Sequence, residues 1–188
     1  MASRGHPDRR AAAVRPPAPA ARSVVLALGS NLGDRRDILQ GSVDAIAAIP
    51  EVQLMAVSPV YETVPVGGPP QPDYLNAVLL ARTTLLSRAL LDRLHEVEAA
   101  FSRMREVRWG PRTLDIDVIT VEGETSNDPE LTLPHPRAHE RAFVLAPWHD
   151  VEPEAVLPGH GAIAALLAAT DASGVRRSAM TLSVPEDT

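Results

Sequence analysis

The chain has 188 residues, of which 45% are hydrophobic and 22% are charged, so it is long enough for one globular domain with a real core. The absence of cysteine excludes disulfides and thiolate metal sites and favours a reducing, cytoplasmic location. The formal net charge of -6 argues against a general nucleic-acid binder. The lack of lysine excludes a P-loop, so arginine and metal ions must bind any phosphate.

The two ends of the chain have the composition of tails. Residues 1–22 are rich in alanine, proline and arginine and show no periodicity, which predicts a disordered segment. They lack the apolar core of a secretory signal, and no later apolar run approaches the roughly 18 residues of a membrane span. Residues 176–188 are expected to form a loose C-terminal tail, which leaves a domain at residues 23–175.

The first half of this domain predicts a strand, a helix and two further strands. Residues 24–28 are an apolar run that ends at a glycine, which is typical of a buried strand. The following segment places Asp34 as a helix N-cap ahead of apolar residues at helical spacing, namely Leu39, Val43, Ile46 and Ile49. Residues 52–64 predict a second strand, in which Pro59 indicates an edge or a bulge. A loop of glycine and proline then leads to a third strand at residues 74–83.

The second half predicts a long helix, a basic loop and a fourth strand. The helix carries one apolar stripe at residues 85–103, formed by Leu86, Leu90, Leu94, Val97 and Phe101. An arginine-rich loop precedes the strand at residues 114–123, and a turn region follows it. Residues 135–153 indicate a short helix, and residues 160–170 a last one. The order βαββαβ predicts an α+β ferredoxin-like sandwich, with an antiparallel four-stranded core sheet and helices packed on one face.

Two aspartates stand out in the fourth strand. Residues two apart in a strand point to the same face, so Asp115 and Asp117 share one side with Cα atoms about 6.6 Å apart. Leu114, Ile116 and Val118 take the other side, toward the core. Paired carboxylates repel unless a cation lies between them, and Mg²⁺ prefers carboxylate and phosphate oxygens.

The arginines just ahead of this strand allow two interpretations. Four of them fall within ten residues, at Arg103, Arg105, Arg108 and Arg112. Arginine binds phosphate oxygens in a bidentate manner, which favours a site for a metal-bound polyphosphate. The alternative is that these arginines only neutralise the aspartates on a solvated surface.

Five segments carry a resemblance to a known family. They are "LALGSNLGDR", "SPVYETVPVGG", "QPDYLNAV", "RWGPRTLDID" and "LTLPHPRAHERAFVLAPW", in this order. With them, residues 24–157 strongly resemble the 6-hydroxymethyl-7,8-dihydropterin pyrophosphokinases of folate biosynthesis. The resemblance implies a ferredoxin-like fold and transfer of pyrophosphate from ATP to the pterin hydroxymethyl group with release of AMP. It also implies two magnesium ions, small-molecule substrates only and, we expect, a monomer that binds neither nucleic acid nor membrane.

The resemblance also implies roles for individual residues. The catalytic group comprises Arg103, Arg112 and the two aspartates, which match the magnesium ligands, Asp115 and Asp117. Two aromatic residues match those that stack on the pterin in the family, namely Tyr74 and Phe143. Three further residues match the groups that bind the amide edge of the pterin, namely Thr63, Val66 and Asn76. The residues that match the ATP-binding positions of the family are Glu98, Arg103, Arg105, Trp109, Arg112, Thr132, His135 and Arg141. The motif of Ser30 and Asn31 is expected to be structural.

Some features leave alternatives open. Tyr74 and Phe143 also fit ordinary core positions, and Asn76 fits a polar outward position. Glu130 stands where family members can have a basic residue, and Pro136 where they can have an aromatic one, so the resemblance does not define the adenine contacts.

Two other functions remain possible on sequence grounds. Nucleotide-sugar transferases also pair a DxD motif with a divalent metal, but they need a doubly wound nucleotide-binding domain. A ferredoxin-like regulatory module could bind a nucleotide without turnover, and it would not need a metal pair. Mg²⁺-dependent turnover separates the enzyme from such a module.

Overall fold

The computed structural model describes residues 20–65, 71–101 and 113–185. The strands are β1 (Arg22–Ser30), β2 (Val52–Val57), β3 (Tyr61–Thr63), β4 (Tyr74–Thr83), β5 (Asp115–Val121), β6 (Ser126–Asp128), β7 (Leu131–Leu133), β8 (Val156–Leu157), β9 (Gly161–Ala162) and β10 (Val175–Arg177). The helices are α1 (Arg35–Ala47), α2 (Ser87–Phe101), α3 (Ala142–Val151) and α4 (Ile163–Ala169), with a 3₁₀ turn at Ala138–Glu140.

The main sheet is antiparallel at each of its strand pairs. Its order is β10-β3-β4-β1-β5, and β2 also pairs with β4. The α+β class with an antiparallel sheet is therefore confirmed. An antiparallel sheet does not fit the doubly wound, parallel domain that the sugar-transferase alternative requires.

The predicted second strand is two strands. The chain leaves β4 after β2 and rejoins it at β3, and the break contains Ser58 and Pro59. Proline cannot donate to a strand ladder, which accounts for the break. The Ser58 hydroxyl accepts a hydrogen bond of 2.9 Å from the Val78 amide. It thereby replaces the backbone carbonyl that an unbroken strand would offer to this amide.

One face of the sheet carries α1 and α2. The Asp34 side chain accepts from the Asp37 amide at 3.2 Å, which confirms the predicted N-cap. The apolar stripes of both helices join one core with the inward residues of β1 and β4. Leu86 departs from the prediction, because it lies before the first turn of α2 and is 75% exposed, while Leu91 is buried.

The opposite face carries α3 and α4, so the expectation of helices on one face only is wrong. Val144, Leu145 and Trp148 of α3 pack with Val25 and Val78 in a second core. The reason is visible in β1, which is apolar on both faces instead of alternating with polar residues. A strand of that kind needs cover on each side.

The fourth predicted strand, β5, has the expected orientation. Leu114, Ile116 and Val118 are buried in the core beneath α1 and α2. Asp115 and Asp117 alternate with them and therefore point to the face that carries α3. The predicted common side of the two aspartates is confirmed.

Two segments have more structure than the sequence suggested. The turn region after β5 contains the hairpin of β6 and β7. The expected loose C-terminal tail begins instead as part of β10, which pairs with β3, and Met180 and Leu182 pack against the first core. Within the described ranges, no helix combines the length and apolarity needed to cross a lipid bilayer.

Candidate active site

A single row of paired residues crosses three strands of the sheet. Asn76 of β4 pairs with Gly29 of β1, and Gly29 pairs with Asp115 of β5. Paired residues in an antiparallel sheet point to the same face, and neighbouring strands lie about 4.8 Å apart. The amide of Asn76 and the carboxylate of Asp115 therefore flank a position without a side chain.

Gly29 keeps that position open. A Cβ atom built on Gly29 would lie 3.3 Å from Oδ1 of Asn76. Any larger side chain would enter the space between Asn76 and Asp115. The row of Asn76, Gly29 and Asp115 thus forms the floor of the site, with a polar side chain on each side of the open space above Gly29.

Asp117 lies in an ion cluster beside this floor. Its Oδ2 atom accepts a hydrogen bond of 3.0 Å from Nη1 of Arg141, and it lies 3.8 Å from Nε2 of His135. Arg141 lies just before α3, the helix that packs on the second face of the sheet. The cluster brings together three of the residues that the family resemblance assigned to metal and ATP.

His135 is held by one hydrogen bond from its backbone amide and one to its ring. Its amide donates to the Ile119 carbonyl at 2.8 Å, and its Nδ1 atom accepts from the Arg137 amide at 3.1 Å. Burial lowers the pKa of His135, the Arg141 charge lowers it further, and the Asp117 charge opposes both. The lowered pKa favours a neutral imidazole that keeps Nε2 toward Asp117 and Arg141.

A cleft of about 270 Å³ runs along the outer edge of β5. Both aspartates and His135 line it, together with Leu91, His95, Val118, Leu131, Thr132 and Pro136. Its lining is mostly polar, with a few apolar side chains beside it, and its two aspartates suit a cation. Thr132, which the resemblance placed beside adenosine, donates its own hydroxyl to the Asp128 carbonyl at 2.9 Å.

Sequence reasoning missed Leu91 and His95. Both lie on α2, Leu91 seven residues and His95 three residues before Glu98, so helical spacing could have placed all three on one face of the helix. Glu98 itself is 6% exposed, and its Oε1 atom accepts from the Ile116 amide at 2.8 Å. Glu98 therefore holds the open edge of β5 between the two aspartates.

The residues expected to bind the pterin lie at the other end of the same floor. Tyr74 and Asn76 are two apart on β4 and point to the face that carries α3, as Val78 does. The Asn76 amide donates to the Thr63 hydroxyl at 2.9 Å, and both residues are buried. Phe143 lies in the first turn of α3 on this face, with the Arg141 guanidinium carbon 5.6 Å from its ring centre.

The buried pair Ser30 and Asn31 supports the structural role expected for it. The Ser30 hydroxyl donates to the Thr113 carbonyl at 2.6 Å, just before β5. The Asn31 amide donates to the Gln71 side chain at 2.8 Å, and the Tyr74 hydroxyl donates to the same Gln71 oxygen at 3.3 Å. These bonds tie the end of β1 to the entries of both site strands.

Part of the predicted site falls outside the described residues. This applies to four of the ATP-side residues and one pterin-side residue, namely Arg103, Arg105, Trp109, Arg112 and Val66.

The aspartate pair fits a hard divalent cation. In the described ranges, no three histidine, cysteine, aspartate or glutamate side chains group into a complete metal site. Mg²⁺ needs only one or two carboxylates when substrate phosphates and water complete its shell. Asp115 and Asp117 supply that donor type on one face of an open cleft.

Comparison with known proteins gives a consistent result. A profile of the family described as 7,8-dihydro-6-hydroxymethylpterin-pyrophosphokinase matches residues 25–153. A 2-amino-4-hydroxy-6-hydroxymethyldihydropteridine pyrophosphokinase from Methylorubrum extorquens is 43% identical over 152 residues, which cover 81% of this chain and 96% of the relative. The protein of the same name from Mycobacterium tuberculosis is 46% identical over 144 residues, which cover 71% of this chain and 74% of the relative.

Solved structures agree at the level of the fold. A Plasmodium falciparum HPPK-DHPS triple mutant with pteroate matches with a TM-score of 0.63 at 13% identity, over 84% of this chain and 47% of that one. The wild-type P. falciparum HPPK-DHPS matches with a TM-score of 0.59 at 14% identity, over 80% of this chain and 45% of that one. The present chain thus spans about half the length of these solved chains.

Proposed function

The chain belongs to the 7,8-dihydro-6-hydroxymethylpterin-pyrophosphokinase family, and we propose that the floor formed by Asn76, Gly29 and Asp115 carries the reaction of that family. The enzyme transfers pyrophosphate from ATP to the hydroxymethyl group of 6-hydroxymethyl-7,8-dihydropterin in folate biosynthesis.

One observation supports this location above all others. The register of β4, β1 and β5 puts Asn76 and Asp115 on either side of Gly29. Asn76 would bind the amide edge of the pterin, and the Asp115 carboxylate would bind Mg²⁺. A pterin held at Asn76 would extend its hydroxymethyl group across Gly29, toward a triphosphate held at Asp115. The floor therefore sets the two reactants side by side, which is the main requirement for transfer between two bound molecules.

The nucleotide side is proposed to lie in the cleft along β5. Asp115 and Asp117 would hold two Mg²⁺ ions, which when bound lower the charge of the triphosphate. Arg141 and His135 lie beside Asp117, where their side chains would bind phosphate oxygens. By resemblance, Arg103, Arg105, Trp109 and Arg112 complete the phosphate-binding set from the loop before β5, and Thr132 and Glu98 contribute from the cleft walls.

The chemical step is a displacement at phosphorus. The pterin hydroxyl oxygen forms a bond to the β-phosphorus of ATP, and the bond between that phosphorus and the α,β-bridging oxygen breaks. AMP leaves with this oxygen, and the β- and γ-phosphates are transferred together. A loose transition state requires little prior deprotonation of the alcohol, so its proton can pass to solvent or phosphate as the bond forms. Positioning and charge stabilisation by the arginines then supply most of the rate.

The pterin side is proposed to lie between β4 and the first turn of α3. Tyr74 and Phe143 would stack on the two faces of the ring, and Asn76, Thr63 and the backbone near Val66 would bind its amide edge. The Asn76–Thr63 hydrogen bond fixes the orientation of the amide before the substrate arrives. A preset polar pair of this kind favours a ligand with matching donors and acceptors.

Replacement of either stacking aromatic is expected to weaken pterin binding selectively. Tyr74→Ala and Phe143→Ala should each cost about 1–3 kcal/mol of pterin affinity, the usual scale for loss of a stacking partner. The affinity for a non-hydrolysable ATP analogue should change little, because the cleft along β5 is untouched. Titration calorimetry with each ligand measures both quantities.

Phe101→Ala is the matched control, since Phe101 packs against the core beneath α1 and α2. It should lower the unfolding temperature and leave pterin affinity unchanged. Equal losses of pterin and nucleotide affinity in the Tyr74 and Phe143 variants would mean that the substitutions damage the core and that the pterin lies elsewhere.

Several finer features belong to the same proposal. The order β2-β4-β1-β5, with α1 and α2 on one face, supports a ferredoxin-like βαββαβ unit, to which β3, β10, α3 and α4 are added. We further propose one domain that begins at residue 23, is preceded by a tail, and extends past the expected boundary at residue 175 to include β10 and the core contacts of Met180 and Leu182. Both substrate regions lie in one chain, which supports a monomer, and the use of ATP by a cysteine-free chain favours the cytoplasm.

A further inference from the structure

The C-terminal strand β10 covers the strand that carries Thr63. β3 has three residues, and it pairs with the start of β4 on one side and with β10 on the other. Thr63 itself pairs with Tyr74 and with Val175. Two backbone bonds extend this pairing, from the Val64 amide to the Gly174 carbonyl at 3.1 Å and from the Ser178 amide to the Val60 carbonyl at 2.8 Å.

A three-residue strand held on one side would be prone to local opening. β10 removes that edge, and the chain after it is anchored in turn. Met180 and Leu182 pack against the first core, and the Gln40 side chain binds both the amide and the carbonyl of Ser183, at 3.0 and 2.9 Å. The C-terminal segment is therefore strapped across β3 and fixed to α1.

Four charged side chains join this strap to the pterin side. Nη2 of Arg176 lies 3.2 Å from Glu62 and 3.6 Å from the Asp73 carboxylate. Nη1 of Arg35 lies 3.6 Å from the same Glu62 and donates to the Asp73 carbonyl at 2.6 Å. Glu62 precedes Thr63 and Asp73 precedes Tyr74, so the two arginines hold together the residues next to two proposed pterin contacts.

We propose that β10, through Arg176, is a positioning element of the pterin site. Arg176 does not contact the pterin; it fixes β3 against the start of β4, and thereby keeps Thr63 bonded to Asn76 and Tyr74 in place. This inference rests on the proposed pterin location. An exposed ion pair alone contributes little, but here one guanidinium lies between the carboxylate of Glu62 in β3 and that of Asp73 just before β4.

Charge reversal gives the sharpest test. Arg176→Glu places a third carboxylate beside Glu62 and Asp73, which should push β3 and the start of β4 apart. We expect KM for the pterin to rise about fivefold, with kcat and KM for ATP within about twofold of wild type, since the defect lies in substrate binding only. Arg176→Lys keeps the positive charge, so its KM for the pterin should stay close to that of wild type.

Arg177→Glu is the matched control on the same strand. Arg177 is as exposed as Arg176, but it lies 3.6 Å from Asp150 of α3 and not near Glu62. It should leave KM for the pterin close to wild type. An equal rise of this KM in Arg176→Glu and Arg177→Glu, or a parallel rise of KM for ATP, would overturn the proposal.

Hydrogen exchange separates this proposal from the function itself. Peptides that cover residues 60–65 should exchange faster in Arg176→Glu than in wild type or in Arg177→Glu, whatever the substrate. Unchanged exchange there would refute the positioning role even if KM moved. Wild-type turnover with ATP and the pterin tests the proposed function on its own, so the two failures are distinguishable.

Discussion

Asp117→Asn is expected to lower kcat by about a thousandfold, the scale for loss of one essential group that stabilises charge in a transition state. The amide is the same size and keeps an oxygen that can accept from Arg141, so the hydrogen bond of 3.0 Å is retained. The negative charge that would hold Mg²⁺ is lost. Steady-state turnover at saturating ATP and Mg²⁺ measures the effect, and thermal unfolding checks the fold.

Asp92→Asn is the matched control, since Asp92 is an exposed carboxylate of α2 with 61% of its side chain accessible. Its turnover should equal that of wild type. If Asp117→Asn also turned over at a near-normal rate, the assignment of Asp117 as a magnesium ligand would be wrong.

Gly29→Val is expected to lower kcat/KM by a hundredfold or more, by about the same amount for either substrate. A valine at this position would direct its methyl groups into the gap between Asn76 and Asp115, where even a Cβ atom would approach Oδ1 of Asn76 to 3.3 Å. β-branched residues suit strands, so β1 should still form. Steady-state kinetics with each substrate varied in turn measures the loss.

Gly29→Ala provides the graded comparison. Its single methyl group requires the Asn76 amide to shift by a few tenths of an ångström, so we expect an intermediate loss that falls mainly on KM for the pterin. Full activity in Gly29→Val, with an unchanged unfolding temperature, would show that the reactants do not meet above β1.

The parts of the site that follow local rules could be predicted from the sequence. The alternation of residues 114–118 placed Asp115 and Asp117 on one face because a strand has a period of two. Asp34 was recognisable as a cap because short polar side chains satisfy the first amides of a helix. These features depend on residues that are near one another in the chain.

Features that depend on packing between distant segments could not be predicted. The contact between Asp117 and Arg141 spans 24 residues and requires α3 to lie on the second face of the sheet. The apolar run in β1 indicated a buried strand, but it did not show that helices would cover both faces of the sheet. β10 has three residues, two of them arginine, and it forms because β3 offers an open edge, which local propensity does not encode.

Product analysis tests the central claim most directly. The purified full chain is incubated with ATP, Mg²⁺ and 6-hydroxymethyl-7,8-dihydropterin, and the nucleotide and pterin products are resolved by chromatography. We predict AMP and the pterin pyrophosphate in equal amounts, with no reaction when Mg²⁺ is removed by a chelator. ADP as the stoichiometric nucleotide product, or AMP without pterin pyrophosphate, would contradict pyrophosphoryl transfer at this site.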